Sequence, residues 1–302
     1  MKNLTTYINE ALKLGQSKTR YKYHPKTKEE LRDLLKQLIE DRGNEGDFND
    51  IDTSEITDMS DLFAAMGKFN GDISEWNVSN VTNMQGMFFK CEKFNKPLND
   101  WDVSNVTNMY SMFYGCKTFN KPLNDWNVSK VTNMQTMFLD CKKFNQPLND
   151  WNVSKVTDMR SMFQDCVVFE GTGLDNWNVS NVTNMGYMFS GCDFFNQPLN
   201  DWDVSNVESM YSMFNECKSF NQPLDNWNVS NVTNMSEMFN RCTSFNQDIS
   251  KWKTSKVISM NKMFYKCKSF NKDISNWNIS KVMHKYAVFG GCPIEEKFKP
   301  KF

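Results

Sequence analysis

Apolar residues recur along this chain with a period of 25 residues that is broken once, by a single extra residue. The tryptophans mark this period: Trp76, Trp101, Trp126, Trp151, Trp177, Trp202, Trp227, Trp252 and Trp277. The cysteines keep the same spacing: Cys91, Cys116, Cys141, Cys166, Cys192, Cys217, Cys242, Cys267 and Cys292. A period of roughly 20 to 50 residues predicts a solenoid, in which each repeat buries its apolar side against its neighbours.

Within one repeat the apolar spacing changes from strand-like to helix-like. In the repeat from Phe94 to Cys116, Trp101 and Val103 alternate with polar residues, as in a short strand. The following apolar residues come at spacings of three and four, which are typical of a helical stretch: Val106, Met109, Met112, Phe113 and Cys116. We therefore predict an α/β repeat in which each unit contains a strand, a tight corner, a short helix and a return loop.

The array extends beyond the tryptophans. Counting 25 residues back from Trp76 reaches Ile51, which takes the tryptophan place in a degenerate first unit. The predicted array therefore has ten units and covers residues 48–292. The one-residue slip falls beside Gly171 and Gly173, and these glycines indicate a loop bulge that leaves the flanking units in phase.

The residues before the array predict a helical cap. Residues 27–42 carry a capping box formed by Thr27 and Glu30, and Gly43 marks the stop. The apolar stripe between them would cover the open end of the solenoid: Leu31, Leu34, Leu35, Leu38 and Ile39. The predicted divisions are a leader at 1–17, a basic arm and capping helix at 18–47, the array at 48–292 and a tail at 293–302.

The repeat motif FNxPLNxWxVSxVxxMxxMFxxC, present from Phe48 to Cys292, resembles the BspA-like leucine-rich repeats, in particular the 25-residue repeats of mycoplasma surface proteins. The resemblance implies a leucine-rich-repeat-like solenoid with a binding function, since the better-known members are bacterial surface adhesins. Those members carry export signals and wall anchors. The N-terminal residues MKNLTTYINEALKLGQ contain no apolar core of the secretory type, and no stretch approaches the ~20 apolar residues of a membrane span.

We therefore expect a cytoplasmic or virion location without membrane insertion. A cell-surface adhesin that binds host or matrix ligands stays open as the alternative. The first 11 residues, MKNLTTYINEA, also resemble the capsid-targeting leaders of internal proteins in large tailed phages. That resemblance implies cleavage after Glu10, with Ala11 as the new N-terminus. An ordinary helical N-terminus is the other interpretation.

The cysteines predict a structural column. All nine occupy one place in the repeat, and Met66 takes that place in the first unit, so the place suits an apolar side chain. We expect reduced, buried thiols; disulfides between neighbouring turns and metal binding are the alternatives. The chain has two histidines, His24 and His284, which disfavours a zinc site.

The sequence predicts neither catalysis nor a cofactor. It contains no phosphate-binding loop, dinucleotide fingerprint, H-E-x-x-H motif or nucleophile elbow. A residue that recurs in every unit does not form one unique catalytic group. We therefore expect a monomeric, non-enzymatic binding protein.

Residues on either side of each tryptophan are predicted to point outward from the strand. The acidic ones are the first candidate binding set: Glu75, Asp100, Asp102, Asp125, Asp150, Asp201 and Asp203. This acidic to neutral surface disfavours nucleic acid. It suits another protein, a repetitive polymer such as a glycan, or a cation such as calcium. A solvated surface that reflects repeat duplication is the alternative.

Two further columns have predicted roles. Variable contacts are expected on the helical stretch, where pairs such as Tyr110-Ser111, Arg160-Ser161 and Gly186-Tyr187 differ between units. The loop asparagines are predicted to form a structural ladder that satisfies backbone groups: Asn95, Asn120, Asn145, Asn196, Asn221, Asn246 and Asn271.

Overall fold

The computed structural model describes residues 21–302, which wind into a solenoid of stacked turns. Its helices are α1, Lys28–Arg42, and two short 3₁₀ helices, Leu174–Asn176 and Glu296–Phe298. Isolated parallel bridges join one position of each unit to the next: Asp58, Asn83, Asn108, Asn133, Asp158, Asn184, Ser209, Asn234, Ser259 and His284. The described residues therefore contain the ten units in register. The leader at 1–17 and the cleavage site at Glu10 and Ala11 lie outside them.

The predicted short helix is wrong, because this stretch is a run of tight turns. In residues 84–91, alternate N–H groups donate to the next unit, at N–O distances of 2.6–3.0 Å. The donors are Met84, Gly86, Phe88 and Lys90, and the acceptors are the carbonyl groups of Asn108, Tyr110, Met112 and Tyr114. The N–H groups between them, those of Met87, Phe89 and Cys91, donate to the carbonyl three residues earlier. The bonds within the unit thus form the turns, and the alternate bonds join the unit to the next one.

Left-handed residues explain why this stretch is not an α-helix. Two positions in every unit have positive φ, such as Gly86 at 57° and Lys90 at 56°. Because a second left-handed residue follows the first after four positions, the backbone does not keep the right-handed dihedral angles of an α-helix. Most of these positions are not glycine; Thr136 has φ 56° and Tyr187 has φ 59°. Each costs roughly 1–2 kcal/mol, and the hydrogen bonds between units offset this cost.

The predicted strand at the tryptophan is also wrong, since residues 21–302 contain isolated bridges instead of strands. The N–H of Trp101 donates to the carbonyl of Leu98 in a turn, at 3.1 Å. Its indole Nε1 donates to the carbonyl of Ile73 in the preceding unit, at 3.2 Å. At this corner a side chain, not a backbone ladder, joins the units.

The interior is one continuous apolar cluster built from stacked columns. The rings of Phe88 and Phe113 are stacked with centroids 5.4 Å apart. A second phenylalanine column packs against the first, and the centroids of Phe88 and Phe94 are 4.1 Å apart. Leucine, tryptophan, valine and methionine columns complete the core, so each unit depends on both neighbours.

Helix α1 closes the N-terminal end of this core, at the residues that the sequence predicts. Thr27 Oγ1 accepts from the N–H of Glu30 at 3.2 Å, and the helix ends at Gly43, with φ 77°. Its buried residues join the core cluster of the array: Leu31, Leu35 and Leu38.

An ion pair fixes this helix to the first unit. The guanidinium of Arg42 donates to both carboxylate oxygens of Asp50, at 2.7 and 2.9 Å. The hydrogen bond from Arg42 lowers the pKa of the Asp50 carboxyl. Lys28 Nζ forms a second pair with Asp58 at 2.8 Å. These pairs hold the helix across the open end.

The extra residue is accommodated by a local bulge, as predicted. Gly171 and Gly173 adopt left-handed conformations with φ 82° and 86° before the 3₁₀ helix Leu174–Asn176. The indole of Trp177 still donates to the carbonyl of Leu148 in the preceding unit, at 3.0 Å. The flanking units therefore stay in phase.

Candidate binding surfaces

The predicted acidic residues are all exposed: Glu75, Asp100, Asp102, Asp125, Asp150, Asp201 and Asp203. The structure does not bring all of them together. The column before the tryptophans places four in successive units, Glu75, Asp100, Asp125 and Asp150, which we call the acidic row. Asp201 is separated from this row by Asn176. Among residues 21–302, no group of three histidine, cysteine or acidic side chains is arranged to hold a metal ion.

Two members of the predicted set have a structural role that the sequence interpretation missed. Asp102 accepts from the N–H of Ser104 at 3.0 Å, and Asp203 makes the same bond at the equivalent place. The hydrogen bonds from Ser104 lower the pKa of Asp102. Asn77 makes this bond to Ser79 in another unit, at 3.1 Å. The recurring D/N-x-S pattern after tryptophan is the sequence signal of this turn.

The cysteine column is part of the core. All nine cysteines are free in the structure. The thiol of Cys116 donates to the carbonyl of Phe88 at 3.1 Å, and the same contact recurs along the column. Burial raises the pKa of Cys91 to about 12. These thiols therefore stay protonated and serve as apolar packing groups.

The asparagine ladder is present as predicted. The N–H of Asn120 donates to Oδ1 of Asn95 at 2.9 Å, and the N–H of Asn145 donates to Oδ1 of Asn120 at 2.9 Å. The same bond occurs on both sides of the bulge, from the N–H of Glu170 to Asn145 and from the N–H of Asn221 to Asn196. The ladder ends where the N–H of Glu295 donates to Oδ1 of Asn271 at 2.9 Å. These side chains are committed to the scaffold.

A shallow polar groove of about 650 Å³ runs between two exposed columns. It is lined by Asn181, Thr183, Asn206, Glu208, Asn231, Thr233 and Lys256. Its donors are largely committed: Asn206 donates to the carbonyl of Ser180 at 2.8 Å, and Thr233 donates to that of Glu208 at 3.2 Å. The groove therefore presents mainly acceptor oxygens to a ligand.

The stretch of tight turns from the first methionine to the cysteine of each unit, such as residues 84–91, is called the ladder segment. It carries the positions that differ most between units. In the pattern M-a-b-M-F-c-d-C, the methionines, phenylalanine and cysteine belong to the apolar cluster, whereas the side chains at a, b, c and d lie outside it. Some small polar side chains at these positions are nevertheless buried, such as Ser111 and Ser212. We call the side chains at these four positions the varied face. In residues 84–91 they are Gln85, Gly86, Phe89 and Lys90, and in residues 109–116 they are Tyr110, Ser111, Tyr114 and Gly115. Because the backbone of this segment is committed to the ladder, these side chains can differ without altering the fold.

Aromatic pairs lie at two places on the varied face. Phe89 and Tyr114 contact edge to face with ring centroids 4.9 Å apart. Tyr187 and Tyr211 form a similar pair at 4.8 Å. Between the first pair and Tyr110 is a recess of about 230 Å³. Half-buried aromatic side chains of this kind are enriched at protein interfaces.

Charged side chains on the same face pair between units. Arg241 and Glu216 are 2.9 Å apart, and Lys262 and Glu237 are 3.7 Å apart. Burial raises the pKa of Asp165, and the neighbouring carboxylate of Asp140 adds to this effect. Exposed pairs contribute only about 0–1 kcal/mol each, so the varied face has little part in stability.

The stacked units and their outward side chains define a solenoid repeat protein. The family model described as "Mycoplasma protein of unknown function, DUF285" matches three overlapping stretches, residues 33–151, 132–235 and 198–299. The chain therefore belongs to this family, which confirms the predicted mycoplasma-type repeat.

Other comparisons add little. No curated protein matches the sequence. A solved structure titled "Crystal structure of TLR13-ssRNA13 complex" is 11% identical, with 84% of this chain and 50% of that chain covered and a TM-score of 0.25. The chain thus spans half the length of that protein, and so low a score supports no argument about fold or function. Within residues 21–302, no helix has the length and apolarity to cross a membrane.

Proposed function

We propose that the protein is a non-enzymatic scaffold that binds another protein through its varied face. The observation that carries the proposal is the separation of roles within the ladder segment. Interior side chains repeat from unit to unit, while the outward side chains change from aromatic to polar to charged. A partner with a regular repeat would contact the same type of side chain in every unit. Changing chemistry suits the irregular surface of a folded protein.

A repetitive polymer such as a glycan is the second candidate. The polar groove favours it, since its acceptor oxygens suit hydroxyl donors. The acidic row is a uniform surface of the same kind. The free cysteines favour a reducing compartment, and hence the cytoplasm or a virion interior over the cell surface.

Capture from extracts of the source organism separates the two candidates. The immobilised chain is compared with two variants that melt at the same temperature. One replaces Tyr110, Tyr114 and Tyr211 by serine, and the other replaces Asp100, Asp125 and Asp150 by asparagine. The proposal predicts that mass spectrometry identifies one protein retained by the wild type and the asparagine variant but lost from the serine variant. Retention of that protein by the serine variant would contradict it, and glycan loss from the asparagine variant would favour the polymer.

A further inference from the structure

A recess of about 230 Å³ lies on the varied face beside Gly86. Gly86 occupies position b of its unit, whereas the other units carry a side chain there: Asp61, Ser111, Thr136, Ser161, Tyr187, Ser212, Glu237, Lys262 and Ala287. A Cβ at Gly86 would lie 2.2 Å from Oδ1 of Asp61. The glycine therefore lets the Asp61 carboxylate lie directly against its Cα, at the edge of the recess.

The recess has aromatic walls and one free charged group. Phe89, Tyr110 and Tyr114 line it together with Asp61. The hydroxyls of Ser111 and Thr136, which also line it, bond to each other at 2.6 Å. Gln85 Oε1 accepts from Asn108 at 3.3 Å. Among residues 21–302, no hydrogen-bond or ion-pair partner contacts the carboxylate of Asp61.

This combination suits a cation. Aromatic ring faces attract ammonium groups, and a nearby carboxylate adds a direct charge interaction. The ring of Phe89 already has an ammonium over it, since Lys90 Nζ lies 5.2 Å from its centroid. At about 230 Å³, the recess suits a small cationic head group more than a nucleotide or a drug-sized molecule.

We propose that this recess binds an organic ammonium group. If the proposed function holds, the group is a lysine side chain of the partner protein; a free quaternary amine is the other source of the same chemistry. Lys90, and Arg32, which donates to the backbone carbonyl of Asp61 at 3.3 Å, are positive charges close by. They weaken the attraction, so the affinity for an isolated ammonium compound is about millimolar.

The test is nuclear magnetic resonance of the full chain with labelled tyrosine. The probes are Nα-acetyl-lysine methylamide, its uncharged norleucine analogue and tetramethylammonium. The proposal predicts that both cations shift the signals of Tyr110 and Tyr114 saturably, and that the norleucine analogue does not. Binding of tetramethylammonium alone would support the ammonium site and assign it to a free amine. Equal binding of norleucine, or no binding of any probe at tens of millimolar, would overturn the proposal.

Variants locate the site. Asp61→Asn should weaken binding about three- to tenfold. Gly86→Ser should abolish binding, because a Cβ at this position clashes with Asp61 Oδ1 and displaces the carboxylate. Lys90→Met should strengthen it, since a competing cation is removed. Asp140→Asn, a carboxylate of the same face outside the recess, is the matched control. An equal loss in the control and in Asp61→Asn would contradict the location.

If the captured partner is lost from the three-tyrosine variant but kept by Gly86→Ser, the scaffold proposal stands and lysine docking fails.

Discussion

The core side and the outward side of the ladder segment share one backbone but use their side chains in opposite ways. The inward positions hold methionine, phenylalanine and cysteine in nearly every unit, whereas the outward positions hold glycine, tyrosine, arginine or glutamate. The backbone hydrogen bonds that stack the units are the same throughout. The regular positions of the sequence therefore serve packing, and we propose that the irregular positions serve recognition.

The largest effect is expected in the tryptophan column. Trp126 is 1% exposed, and its Nε1 donates to the carbonyl of Leu98 at 2.9 Å. Trp126→Ala should lower the free energy of unfolding by about 3–5 kcal/mol, since it leaves a cavity and an unpaired carbonyl. Urea denaturation measures this, with Asp125→Ala as the exposed neighbour control. A loss below 1 kcal/mol would contradict the claim that the tryptophans stabilise the core.

The cysteine column should give a smaller loss that depends on position. Cys141→Ser places a hydroxyl where the thiol is fully buried, and should cost about 1–2 kcal/mol. Cys292→Ser, at a half-buried place in the last unit, should cost less than 0.5 kcal/mol. Thermal melting of the two variants checks the difference. Equal losses would show that burial does not set the role of this column.

The turn at Asp102 should contribute about 0.5–1 kcal/mol, as capping side chains do. Asp102→Ala should lose this amount, and Asp102→Asn should lose almost none at neutral pH, since Asn77 makes the same bond. The folded pKa of Asp102 is lowered, so its contribution is present above the unfolded pKa and is lost as pH falls through the folded value. Denaturation at pH 7 and pH 2 should therefore show wild type approaching Asp102→Ala only in acid. A pH-independent difference would exclude the carboxylate as its cause.

The smallest effect on stability is expected on the varied face. Tyr211→Ser should change the free energy of unfolding by no more than about 0.5 kcal/mol, because its contacts are confined to the surface. The same variant should reduce capture of the partner. Calorimetry and capture on one preparation check both. A large loss of stability would assign Tyr211 to the scaffold.

Periodicity predicts the large-scale architecture well. The ten units, the bulge at Gly171 and Gly173, helix α1 and the asparagine ladder all follow from spacing, capping residues and glycine. The strand and short helix do not follow, because consecutive four-residue β-turns give the same apolar spacing as a helix. Left-handed residues such as Thr136 and Tyr187 give no local signal of their conformation.

The candidate sites were predictable only in part. The sequence analysis named positions a and b, on a segment expected to be helical, and did not name positions c and d. Asp102 and Asp203 were assigned to binding, and the D/N-x-S pattern could have assigned them to turns. The aromatic recess joins side chains from units 25 and 50 residues apart. Aligning the units would have revealed Gly86 as the one glycine in its column.

The most direct test replaces the outward residues of three neighbouring units by those of residues 134–141, while every inward residue is kept. Melting temperature and partner capture are then measured on the same protein. If inward residues serve packing and outward residues serve partner binding, the variant should melt within a few degrees of wild type and should no longer capture the partner. A collapse of stability, or a partner retained at wild-type level, would contradict it.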